Sequence, residues 1–405
     1  MRFVMPISCL TFLLAACGGG DDEAGGGTDG GSGDDPGDCQ ELTLTSLEDT
    51  TLPAGTCHLL DATRESVVGS KLVIEPGVTL IIEEGQLDVL SEMEAIGTEE
   101  DPILITGADK EPGSWGGIYV RHQGGGGDEP GPAVFEHVIV EYGGEEEDHH
   151  LSANANIAWD HNRPPVHIVN SEIRQSETAG VRMIPRPGDD HEFSGNVITD
   201  NDVPLQIHEV SLPFLGEGNS FAGNVRDFIE VSTGAAGDDP TLRGQDVPYL
   251  FDEDFRPGGD LEIEAGAHLV FTPEHRLVVN HSITAIGTDD EPIIMQGRDE
   301  QPGAWGGVRA GSGTDDNYLE HVEIRHGGDV QGTANLWVSG TEQSPTSLEL
   351  RDVHLAEGAR EGLFVGFETT SSGSYNVDLT CENVTFEDNQ RGPIGTTDPD
   401  GVDCE

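Results

Sequence analysis

Most of the stretch from Leu72 to Gly144 is written twice, and this duplication constrains the fold more than any other feature of the chain. Leu72-Val-Ile-Glu-Pro-Gly77 returns as Leu261-Glu-Ile-Glu-Ala-Gly266. Ala95-Ile-Gly-Thr98, with acids and Pro102 behind it, returns as Ala285-Ile-Gly-Thr288 with acids and Pro292, displaced by 190 residues. Pro112-Gly-Ser-Trp-Gly-Gly117 returns at the same displacement as Pro302-Gly-Ala-Trp-Gly-Gly307, and Glu136-His137-Val138 with Gly143-Gly144 returns as Glu320-His321-Val322 with Gly327-Gly328. Self-similarity over a long period is the mark of supersecondary units stacked on one another.

Within the duplicated blocks the apolar residues come in short runs of period two, such as Leu80-Ile-Ile82, Ile103-Leu-Ile105 and Val138-Ile-Val140, each closed by Gly, Pro, Asn or Asp. No long segment of helical period competes with them, so a strand-and-turn protein is expected. A shorter spacing selects the architecture. Gly195-Asn196-Val-Ile-Thr-Asp-Asn201 is followed 23 residues later by Gly218-Asn219-Ser-Phe-Ala-Gly-Asn224; Val169-Asn170-Ser-Glu-Ile173 precedes Asn196 by 26, and Glu382-Asn383 to Asn389 stands near the C-terminus. That spacing suits one unit of three short strands and three turns, and asparagines recurring once per unit can stack as an internal ladder of amides.

Taken together, Glu-Pro-Gly, Ala-Ile-Gly-Thr, Trp-Gly-Gly, Glu-His-Val and the closing Gly-Gly resemble the right-handed parallel β-helix repeats, pectate-lyase-like solenoids, of bacterial surface lipoproteins and secreted adhesin-like proteins. The likeness covers about residues 58–395. It implies an all-β right-handed parallel β-helix in one continuous solenoid, with a first half over 39–245 and a second over 246–405. The resemblance carries no single function, because lyases, glycosidases and adhesins share the solenoid.

Residues 1–16 hold one basic residue, Arg2, and an apolar run too short to span a bilayer,. Leu14-Ala15-Ala16-Cys17 resembles the bacterial lipoprotein signal, which implies lipidation of Cys17, a membrane anchor and an outer-membrane address facing the periplasm or the cell exterior. A plain secretory signal is the alternative. Residues 17–38 are almost wholly Gly, Asp, Ser and Thr and read as a flexible acidic tether,. Four cysteines then remain, and in an exported chain their sequence proximity favours Cys39 with Cys57 and Cys381 with Cys404, one bridge at each end of the body,. A four-thiolate zinc site is disfavoured because Cys-x-x-Cys spacing is absent.

The chain has 19 basic residues against 77 acidic ones, a net charge of −58. Such a surface repels nucleic acid and anionic polymers at long range, so nucleic-acid binding is excluded and a solvated monomer is expected. Paired acids on turns, Asp238-Asp239 and Asp289-Asp290, are the weak candidates for Ca²⁺, although no complete calcium-loop motif is present; no cofactor is required otherwise,. His149 and His150, in an insertion after Gly144, are a second weak metal candidate,. Trp115 and Trp305 read as corner indoles packed on glycine backbone, with sugar stacking as the alternative.

Arg163, Arg174, Arg182 and Arg186 are interleaved with Asp160, His161, His167, Asp189, Asp190 and His191. On successive units they would face one lateral groove, where a lyase needs a base and a cation and a glycosidase a carboxylate pair. No lyase or glycosidase signature accompanies them, so surface ion pairing is the plainer reading. The expectation is a surface-anchored, non-catalytic scaffold or adhesin-like protein that binds a glycan or a cell-surface protein. The alternative is a carbohydrate-active enzyme using Arg182, Arg186, His167, Asp190 and His191.

Overall fold

The computed structural model describes residues 39–44, 48–68, 70–121, 131–146, 153–159, 165–184, 190–234, 239–311, 313–328, 334–366, 376–397 and 402–404, without the side chains of 63–67. Among these the chain is all-β, and its helical element is one short 3-10 segment, Glu209–Phe214. The strands form sheets of 22, six and five strands. Pairing is parallel, and partners lie one repeat apart in sequence. Thus Leu72 sits opposite Met93, Val166 opposite Ala133, Leu277 opposite Val308, and Thr346 opposite Val377. Parallel partners need a long return connection, and here the intervening strands and turns of the same repeat supply it.

Period-two patterning sets which side chains point inward. Ala133–Glu136 and Val166–Val169 alternate buried with half-buried residues, as expected of strands with one face on a core,. One continuous apolar cluster takes side chains from all three sheets, including Leu72 and Phe135 from the six-stranded sheet, Val181 and Leu269 from the large one, and Leu336 and Leu363 from the five-stranded one. Phe251, Phe255, Phe271 and Trp305 stack along it with ring centroids 4.7 to 4.9 Å apart. The ladder crosses the boundary between the two sequence halves without a break, since Val231 pairs with Phe251 and Leu242 with Ile263.

One series of corners is built by residues in the left-handed region, each followed by a ladder residue. Asn170 (φ 50°), Gly195 (φ 67°) and Gly218 (φ 76°) take one corner in three successive repeats, and Ser171, Asn196 and Asn219 follow them. The Ser171 N–H donates to Asn196 Oδ1 at 3.0 Å, and the Asn196 N–H and Nδ2 donate to Asn219 Oδ1 at 3.0 and 3.1 Å. A second ladder runs through Asn201 and Asn224 in the same way, at 2.9 and 3.1 Å. The amide ladder expected from the spacing is therefore present, with one correction. Asn170 is exposed at the corner itself, and the rung below Asn196 is Ser171.

Both terminal bridges are present, Cys39 to Cys57 and Cys381 to Cys404. The first ties the strand Gln40–Leu42 to its neighbour, where Gln40 is opposite His58. The second brings the fully buried Cys404 against the core beside the last repeat.

Candidate functional site

On the strands Ala179–Met183, Val203–His208, Ile229–Ser232 and Tyr249–Phe251, the residues Val181, Leu205, Ile229 and Tyr249 are in the core. The alternate row therefore faces the other way: Arg182, Gln206, Glu230 and Leu250 lie opposite one another across adjacent strands,. A cleft of about 220 Å³ opens over this row, lined also by Ile184, Ser232 and Asp252. Its polar groups are anchored. Gln206 Nε2 donates to Glu230 Oε2 at 3.0 Å, Arg226 pairs with the other Glu230 oxygen and with Asp202 at 2.7 Å, and Arg182 Nη1 donates to the Ala153 carbonyl at 3.3 Å. The Arg226 guanidinium is held above its ordinary value first by the hydrogen bond to Asp202. Beside these fixed donors and acceptors the cleft wall carries the apolar side chains of Leu250 and Ile184, the mixed lining that small-molecule sites use,.

The other members of the arginine and histidine set stand elsewhere. His167 is on the six-stranded sheet, where its Nε2–H donates to the Asp190 carbonyl at 3.0 Å. The buried His191 accepts from the Val166 N–H through Nδ1 at 3.0 Å and lies edge-on to Phe214, with the Trp159 ring centroid 6.1 Å away. Neither histidine is among the described residues lining the cleft beside Arg182. Arg174 clamps two strands, bonding Glu141 at 2.7 Å and Glu172 at 2.6 Å. Arg163, Arg186, Asp160, His161, Asp189, His149, His150, Asp238 and Cys17 lie outside the described residues.

Trp115 and Trp305 are fully buried, and their indole N–H groups donate to the Glu141 and Arg325 carbonyls. They are corner packing groups and offer no face to a sugar. The second glycine of each Trp-Gly-Gly is required twice over. Gly117 and Gly307 have φ of 92° and 81°, and a Cβ there would come within 2.0 and 2.1 Å of the Ala155 and Ala334 carbonyls,. Those carbonyls open a further pair of equivalents, Ala155-Asn156 and Ala334-Asn335, whose Oδ1 atoms accept from Gly143 and Gly327 at 2.8 and 2.7 Å. The repeated Ala-Asn was the available sequence signal, hidden because the insertion after Gly144 shifts its spacing.

The paired acids belong to turns. Thr98 and Thr288 accept through Oγ1 from the Asp101 and Glu291 N–H groups at 3.0 Å, which leaves Asp289 and Asp290 exposed at the turn tip. Asp239 accepts from the Asp260 N–H at 2.8 Å. Comparisons with protein-family models and with curated proteins find no match to the chain.

Proposed function

We propose that this protein is a surface-anchored, non-catalytic binding protein whose body is a right-handed parallel β-helix and whose lateral face holds a glycan. The solenoid reading is supported by one core fed from three parallel sheets and by ladders whose rungs stand 25 and then 23 residues apart. The anchor is the lipidated Cys17 at the bacterial outer membrane; among the described residues no helix is long and apolar enough to cross a membrane. The body acts as a monomer and needs no cofactor.

The observation that carries the binding reading is the cleft over Arg182, Gln206 and Glu230, in which the polar groups are tied into fixed positions and the two histidines of the catalytic alternative are placed elsewhere. A strongly negative surface favours neutral glycans over uronates as occupants,. The test is glycan-array binding with Gln206→Ala and Glu230→Ala, together with depolymerisation assays against neutral and uronate polymers. Retained binding that weakens at least tenfold in the variants supports the reading. Turnover of any polymer that disappears in Arg182→Ala replaces it with a carbohydrate-active enzyme. Fractionation of cells carrying Cys17→Ser checks the anchor, since the body should then leave the membrane.

A further inference from the structure

The two copies of Glu-His-Val are alike in backbone and different in chemistry. His137 and His321 both take the left-handed corner, at φ 51° and 50°. In the first copy the next residue in register is Asn170, because Glu136 pairs with Val169. In the second it is Asp352, because Glu320 pairs with Arg351 and Val322 with Val353. The duplication has therefore placed a carboxylate under one histidine and an amide under the other.

Around His321 the difference is compounded. Glu320, His321 and Asp352 bring a carboxylate oxygen, an imidazole nitrogen and a second carboxylate oxygen within 4.8 Å of one another. Asp289 Oδ1 lies 3.4 Å from His321 Nδ1. A cleft of about 240 Å³ here is lined by Asp289, His321, Glu323, Asp352 and His354, so a second imidazole faces it. Two of the carboxylates are already oriented by groups behind them: Asn383 Nδ2 donates to Asp352 Oδ1 at 3.1 Å, and the Tyr318 hydroxyl donates to Glu320 Oε2 at 2.7 Å. Each keeps one oxygen for a further partner, as outer-shell bonds do around ligating carboxylates.

The ligand types and their spacing point to what that partner is. Ligands on one tetrahedral Zn²⁺, at bonds of about 2.0 to 2.2 Å, stand about 3.4 Å apart, so the three atoms within 4.8 Å of one another need only small side-chain rotations to close on the ion,. A mixed imidazole and carboxylate set prefers a borderline divalent ion to Ca²⁺, which takes oxygen ligands alone. The competing cation is Arg351, whose Nη1 is 3.8 Å from Glu320 Oε1 while its other nitrogens are held by Glu349 and Glu382.

We propose that this corner is a divalent transition-metal site, with His321, Asp352 and Glu320 as ligands to Zn²⁺, clasping two successive repeats.

The experiment is calorimetric titration of the chelator-stripped full chain with ZnCl₂, alone and over excess CaCl₂. His321→Asn and Asp352→Asn are compared with His137→Asn; asparagine keeps the left-handed corner, as Asn170 and Asn383 do in neighbouring repeats,. One zinc equivalent should be lost, or bound at least tenfold more weakly, in His321→Asn and in Asp352→Asn, and retained in His137→Asn and in calcium. Far-UV circular dichroism and the zinc-free melting temperature report whether each variant is folded. Zinc binding unchanged in both folded corner variants would overturn the proposal, as would calcium displacing the zinc at equal concentration. Zinc held instead by the insertion would vanish in His149→Ala/His150→Ala and persist in His321→Asn, which also overturns it.

Discussion

Asn196 shows at the scale of one side chain how the repeat is held. Its amide is fully buried, accepts from the Ser171 N–H and donates to Asn219 Oδ1 and to the Ile168 carbonyl. Asn196→Leu keeps the branched heavy-atom skeleton and removes every side-chain hydrogen bond, leaving the Ser171 N–H below without its acceptor. The expected loss is about 1 to 3 kcal/mol by urea unfolding, and a neutral result would mean that the rungs contribute no net hydrogen bonding. A second residue links burial to pH. His268 Nε2 is buried without a hydrogen bond, and burial, with the Arg325 charge as a smaller cause, lowers its pKa below the ordinary 6.5. The neutral form is the native form. Its contribution is complete above the unfolded value of 6.5 and is lost as pH falls through that value toward the lower folded one,. His58 is lowered by burial in the same direction. Melting temperatures at pH 7 and pH 5 should therefore fall less steeply for His268→Leu than for the parent, and identical slopes would exclude this residue as a source of acid sensitivity.

At the scale of elements, the ends differ from the middle because a terminal repeat has a neighbour on one side only. The strands Val377–Glu382 and Thr385–Glu387 keep more exposed positions than the inner strands they pair with, and the Cys381 to Cys404 bridge draws the chain end over them. Replacing Cys381 and Cys404 by Ser should cost roughly 3 kcal/mol in the loop-entropy picture, with proteolysis beginning at the C-terminal repeat. Digestion without reduction should recover Cys39 linked to Cys57 and Cys381 to Cys404; a peptide joining the two ends would contradict the arrangement. Turn chemistry was the most readable part of the sequence at this scale. Trp-Gly-Gly and Thr-x-x-acid-Pro recur because a positive φ, a close carbonyl and a threonine-closed turn each admit few residue types,.

Across the whole molecule the charge of −58 is arranged more than it is merely carried. On the strands, acids face other residue types: Glu94 lies between Val73 and Val134, Glu172 between Ile139 and Val197, and Arg351 between Glu320 and Glu382. Repulsion is left mainly to the turns, where acids such as Asp289 and Asp290 are exposed. Sodium chloride should therefore raise the melting temperature by screening, with calcium chloride at matched ionic strength adding little. A melting curve indifferent to both salts would show that register alone has dispersed the charge.

Strand content, parallel stacking, corner glycines, amide ladders and the two bridges all follow from local patterns, because each is fixed by what a residue can do within its own repeat or the next. The candidate sites were legible only as lists of residue types. Arg182, His167, Asp190 and His191 are close in sequence, yet a chain that turns a corner every few residues sends neighbours to different sheets. Conversely Asp289, His321 and Asp352, or Arg182, Gln206 and Glu230, are dozens of residues apart and meet because parallel register sets one repeat directly on the last. The sequence by itself determined the period. Only the tertiary structure decided which side chains share a face, since that depends on how many residues each turn inserts before the next strand returns to register.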